Sequence, residues 1–251
     1  MFARARGRER WMHKLIGYGT ALVLASLSVG CMSTARVSST MGLERSLYPG
    51  LGDLDASQIK EAFKTPIELH PPLSAGIVWL EDAAHGMTSE YSRSAILKAA
   101  TTALNQPPFK AVGPLPTTVE FQRGPRSAPS LDAIRGAAAK FQHDVAFILQ
   151  TGMAEESGVN PFAIGYLGLV TAPLFPGTDI SVAAGAEVCA VDVRSGVMLG
   201  CGVGNSQETV RFLFPLVVST RRGDARDRVI AQAVTAAAQD ALNQVAQRIE
   251  R

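Results

Sequence analysis

The chain has 251 residues, 47% apolar and 18% charged, a globular composition that excludes wholesale disorder. Its formal charge of +2 reflects 24 basic and 22 acidic residues. Residues 1–30 hold five of the basic ones (Arg4, Arg6, Arg8, Arg10, Lys14) and one acid (Glu9), so the remainder carries 19 against 21, near −2. Such a mildly acidic body lacks the clustered Lys and Arg that a phosphate backbone demands, so nucleic acid is not an expected partner.

The first 14 residues are Arg-rich, and Leu15 to Gly30 form 16 uncharged, mostly apolar residues. Basic flank, short apolar stretch and small residues before a cut are the layout of an export signal over 1–30. The stretch is short for a spanning helix, which needs about 20 residues. The end of this region, Leu27-Ser28-Val29-Gly30-Cys31, resembles the lipobox of bacterial lipoproteins. The resemblance implies cleavage before Cys31 and acylation of its thiol. An acylated cysteine with two or more chains gives stable membrane anchoring, each buried CH2 contributing about 0.8 kcal/mol. Met32 follows the cysteine where enteric inner-membrane retention has Asp, so the expected address is the outer membrane, facing the periplasm. Residues 31–40 read as a short tether, and 41–251 as one periplasmic domain.

In that domain Leu43 and Leu47 mark a short helical turn before Pro49. The apolar run Ala75–Leu80 after Pro71-Pro72 reads as the first core strand. Ala95, Ile96, Ala99, Ala103 and Leu104 recur at helical spacing over Thr88–Gln106, which Pro107-Pro108 stops. Phe109–Val112 is a second strand, with Val119–Phe121 extending or repeating it. Ser130 is placed to cap a helix over Leu131–Gln142, with Leu131, Ile134, Ala138 and Phe141 on its apolar side. Val145–Leu149 is a continuous apolar run suited to a strand buried on both faces. An apolar insert over 160–177 follows, then a hairpin within 180–206 turning at Ser195-Gly196. A long helix from about Asp224 to Glu250 closes the chain, with Ile230, Ala233, Ala237, Ala241, Val245 and Ile249 as its stripe. The order β-α-β-α-β-insert-β-hairpin-α implies an α/β (α+β) fold, a mixed sheet covered by helices.

Several stretches resemble the rhombotarget lipoprotein family. They are Ser38-Ser39-Thr40, Leu47-Tyr48-Pro49-Gly50, Gly76–Leu80, Ile134–Gln150, Tyr166–Gly177 and Ala190–Gly196. The resemblance implies an exported lipoprotein and brings no catalytic motif with it. At the level of element order the chain also resembles periplasmic lipoproteins of the curli-secretion and penicillin-binding-protein-activator type, in which a small α/β domain contacts a partner or assembles.

Cys189 and Cys201 are a candidate disulfide. A type I turn over Asp192–Val197 with Gly196 left-handed makes a three-residue hairpin loop in which Val193 faces Val197. That register sets Cys189 opposite Cys201, with Cβ atoms about 4.5–5.5 Å apart in an oxidising compartment. The alternatives are two buried free thiols packed as small apolar residues, and metal or redox chemistry at the pair. In the insert, Phe162, Ile164, Tyr166, Leu167, Leu169, Val170, Leu174 and Phe175 are candidate membrane or partner contacts; the alternative folds them over the sheet as core. His70, His85 and His143 have no metal-site spacing, and no metal, cofactor or small-molecule substrate is expected. Gly200-Cys201-Gly202-Val203-Gly204 follows a turn and opens no helix, so it is no phosphate loop; its glycines mark a bulge or a close backbone approach. Arg221-Arg222 reads as a solvated loop corner. The expected function is non-enzymatic: a lipid-anchored envelope protein whose domain binds another envelope protein. The alternative is a self-assembling, pore-associated or secretion-type lipoprotein with a membrane-facing insert.

Overall fold

The computed structural model describes residues 43, 47, 64, 67, 69–80, 90–115, 130–159, 178–212 and 218–250. Within them run β1 (Leu73–Leu80), α1 (Glu90–Leu104), β2 (Phe109–Pro114), α2 (Leu131–Lys140), β3 (Val145–Val159), β4 (Thr178–Asp192), β5 (Met198–Phe212) and α3 (Val218–Ile249). The strands form one sheet in the order β2-β1-β3-β4-β5. β1 pairs in parallel with β2 and with β3, and the β4–β5 hairpin makes the sheet mixed. The α/β (α+β) class is the one expected, and so is the order of the elements among the described residues; Val119–Phe121 and the insert 160–177 lie outside them.

The chain divides into two units. The smaller contains Glu156–Ser181 and Thr209–Arg222, and in it the buried Asp179 carboxylate lies 3.7 Å from Arg211 Nε. The larger contains Ala35–Glu155, Val182–Glu208 and Gly223–Arg251. Its centre is the start of β3, where Val145, Ala146, Phe147, Ile148 and Leu149 are all 0% exposed, as a strand covered on both faces requires. Ala146 and Ile148 pack with Val78, Ile134, Ala138 and the helical residues Leu43 and Leu47. Phe147 meets Phe109 edge to face at 5.3 Å. The β1–α1–β2 and β2–α2–β3 connections travel in opposite directions across the sheet. Right-handed crossovers therefore place α1 and α2 on opposite faces.

α2 begins as its sequence suggests: the Ser130 hydroxyl accepts from Ala133 N at 3.3 Å, satisfying one orphan donor of the first turn. It ends two residues early. Gln142 adopts a left-handed φ of 57°, and the C-cap residue Phe141 is 47% exposed instead of continuing the apolar stripe. α3 starts earlier than expected, at Val218, so Arg221 and Arg222 stand in its first turns and not on a loop corner.

α3 docks on β5 backbone against backbone. A Cβ built on Gly204 would overlap the Ala233 carbonyl, and one on Gly202 would overlap backbone atoms of Ala237 and Ala241. Four helical residues rise about 6 Å, close to the ~6.7 Å spanned by two strand residues. One helical ridge of alanines therefore keeps step with alternate strand glycines. Of the two sequence readings of Gly200–Gly204, close approach is the one realised at Gly202 and Gly204.

Candidate functional site

The site is the disulfide-linked end of the β4–β5 hairpin. Asp192 N donates to Val197 O (3.0 Å) and Gly196 N to Asp192 O (2.8 Å), with Gly196 at φ +76°. The left-handed glycine is as expected, but the loop holds four residues, 193–196, not three. Val193 is drawn away from Val197 because its N–H donates to Asp144 O (3.0 Å). Asp192, 1% exposed, organises the loop: its carboxylate accepts from Arg194 N at 3.0 Å and from the Ser195 hydroxyl, an Asx-type turn. Arg135 on α2 clamps the loop from outside. Its Nε donates to Val193 O (3.0 Å) and its Nη2 to Arg194 O (2.6 Å).

Cys189 and Cys201 form a disulfide with Cα atoms 4.1 Å apart, near the ~4.5 Å of a non-hydrogen-bonded antiparallel pair. Cys189 lies three positions before Asp192 and Cys201 four positions after Val197, so β5 absorbs one extra residue and restores the expected opposition. In a non-hydrogen-bonded pair each residue turns its backbone groups away from the other. Those of Cys201 accordingly meet Gln244 of α3: Cys201 N donates to Oε1 (3.1 Å) and Nε2 donates to Cys201 O (2.8 Å). Gly200 makes room, since a Cβ there would lie 2.6 Å from Gln244 Cβ.

Two residues from Cys189, and therefore on its face, is Glu187, 6% exposed. Its carboxylate accepts from Leu43 N at 3.1 Å. Donor atoms of Glu187, Cys189 and Cys201 all lie within 4.8 Å of one another, and Met198 Sδ is 3.2 Å from Cys201 Sγ. Glu187 and Gln244 were not singled out from the sequence. An acid inside the otherwise apolar run 182–191 is a signal for the first; nothing local marks the second.

At the start of the parallel strands, Asp144 accepts from Ser74 N (2.9 Å) and Ser74 Oγ (3.1 Å), tying β1 to β3. Beside it, burial pushes the His143 imidazole below its ordinary range, and the Asp144 carboxylate offsets part of that. On β1 Trp79 Nε1 donates to Thr151 Oγ1 at 3.1 Å. His70 is exposed and lies outside this cluster. Cys31, His85 and the contact candidates Phe162, Ile164, Tyr166, Leu167, Leu169, Val170, Leu174 and Phe175 lie outside the described residues. Among the described residues no helix is long and apolar enough to cross a membrane.

A five-stranded mixed α/β sheet with a disulfide-stapled edge hairpin is the class of protein these observations define. No protein-family model and no curated protein matches the chain, so the rhombotarget likeness stays a resemblance. Among solved structures the chain is similar to the PelC dodecamer from Paraburkholderia phytofirmans, at 10% identity and a TM-score of 0.38, over 72% of this chain and 91% of that one. It is similar to the hypothetical protein CT253 from Chlamydia trachomatis, at 9% identity and 0.36, over 70% and 95%. A third is lipoprotein GNA1162 from Neisseria meningitidis, at 15% identity and 0.32, over 62% and 97%. At TM-scores below 0.5 these likenesses carry no weight for function.

Proposed function

We propose that the chain is a non-catalytic bacterial envelope lipoprotein, anchored through acylated Cys31 to the outer membrane, whose periplasmic domain binds another envelope protein. The observation that carries the reading is the leader: a basic flank, 16 uncharged residues and small residues running into Cys31. The Cys189–Cys201 disulfide suits the oxidising compartment such a leader addresses. Two segments suit a partner. One is the apolar sequence 160–177. The other is the β5 edge beyond the Gln244 latch, where Val203 and Asn205 are exposed and an added strand finds backbone partners.

Two measurements test it. Metabolic labelling with a fatty-acid analogue should mark the chain and fail with Cys31→Ser; labelling that survives the substitution overturns the anchor. Crosslinking in intact cells, read by mass spectrometry, should give one recurrent heterologous adduct that weakens with Leu169→Asp. A ladder of self-adducts instead would replace the partner reading with self-assembly.

A further inference from the structure

Leu43 and Leu47 are helical and sit at 0% and 5% exposed among Val78, Ile134, Ala138, Ile148, Cys189 and Val191. Two residues before Cys189, and so on its face, stands the buried Glu187. Its Oε2 accepts from Leu43 N at 3.1 Å, across 144 positions of sequence. A leucine at 187 would fill such a place without the cost of desolvating an acid. What the acid adds is direction. Apolar contacts hold a segment but tolerate slippage, whereas a hydrogen bond from one N–H to a carboxylate fixes a single register and a single point of attachment.

The point of attachment matters because of what precedes it. Leu43 follows Cys31 by 12 positions. A chain spans at most about 3.3–3.6 Å per residue, so this stretch reaches no further than about 40 Å. With Leu43 and Leu47 released, the next buried residue among those described is Leu73. It lies 42 positions after Cys31, and the limit rises to about 140 Å. Whether the two leucines are seated therefore decides how far the body can move from its anchor.

We propose that Glu187 locks the lipid tether in its seat, and that the envelope partner is for this reason a protein of the same membrane that carries Cys31. The inference rests on the acylation of Cys31 and narrows the class of partner put forward above. Glu187 acts here as a positioning residue: it fixes where the tether ends and leaves the contact with the partner to other surfaces.

The seat and its consequence are tested separately. Hydrogen–deuterium exchange on the Cys31→Ser chain, which needs no lipid, should find the Leu43 amide slow. Glu187→Leu should speed it by about tenfold or more, the loss expected for a hydrogen bond to a carboxylate. Glu187→Gln keeps an oxygen acceptor and should recover most of the protection. Slow exchange at Val145–Leu149 in each variant reports a folded sheet. Equal protection of Leu43 in the parent and E187L overturns the lock. Should E187L not fold, the parent decides: an unprotected Leu43 amide overturns the seat. The consequence is read by crosslinking the lipidated chain in intact cells. The recurrent adduct should be a protein of the membrane that carries the chain; a soluble protein, or one of the opposite membrane, overturns the confinement. Failure of the anchor itself shows separately, as loss of fatty-acid labelling with the exchange result unchanged.

Discussion

The docking of α3 on β5 is most directly tested by giving the strand glycines side chains. At Gly202 and Gly204 the methyl group of alanine would run into backbone: the Ala237 carbonyl and Ala241 amide at one, the Ala233 carbonyl at the other. Backbone cannot rotate aside, so α3 must lift. The lift loosens the packing of Val229, Ala233, Val234, Ala237, Ala241 and Val245, each 0% exposed. Overpacking a well-filled core costs about 1–3 kcal/mol and occasionally more, and alanine's smaller unfolded-state entropy returns only about 0.4–1 kcal/mol. Gly202→Ala and Gly204→Ala should each lower stability by about 2–3 kcal/mol, read from urea unfolding under oxidising conditions. Gly200→Ala meets the Gln244 side chain, which can swing away and lose its latch, at about 1 kcal/mol. Gly136 lies inside α2 with nothing within 4 Å of a built Cβ, so Gly136→Ala should stabilise by about 0.5–1 kcal/mol. If Gly202→Ala and Gly204→Ala both fall within about 0.5 kcal/mol of the parent, as surface changes do, the backbone-to-backbone contact is wrong.

Opening the Cys189–Cys201 bond, whose partners are 12 residues apart, should cost about 3 kcal/mol by the chain-entropy relation, measured as the shift in unfolding free energy with and without reductant. Intact mass should show the two cysteines oxidised before reduction, and free thiols there would refute the pairing. Arg135→Ala frees two carbonyls of the hairpin loop and should cost about 1–3 kcal/mol. Arg135→Lys should not restore it, because a point charge cannot reproduce the fork; full rescue would refute the clamp. His143 has a folded-state value below its unfolded value of about 6.5, so the unfolded chain takes up protons first as pH falls. Its contribution is intact above that pH, declines below it and levels off beneath the folded value. The pH dependence of the urea midpoint between about pH 7 and 5 should flatten in His143→Gln; an unchanged slope would exclude this histidine.

Much of the architecture is legible in local patterning, because the preferences that set helix and strand act over a few residues. The apolar run Val145–Leu149, the spacing of Ile96, Ala103 and Leu104, the Ser130 cap and the left-handed Gly196 each follow from sequence neighbours alone. The cysteine pairing is legible in the hairpin as well, although the loop holds four residues and an extra residue in β5 restores the opposition. That locality also explains the errors. Val193 leaves the expected loop because Asp144, 49 positions earlier, takes its N–H, and Phe141 leaves the α2 stripe where Gln142 turns the chain left-handed.

The site depended on contacts of another range. Glu187 meets Leu43 across 144 positions and Gln244 meets Cys201 across 43, and both contacts exist only because the strand order puts β4 inside the sheet and β5 at its edge. The glycines of β5 announce that some backbone comes close, but not which one. Their answer, the alanine ridge of α3, follows from the match between the helical four-residue rise and the two-residue strand repeat once the helix lies on that face. Periodicity tells each segment which of its sides is apolar; only the folded sheet decides which segment covers it.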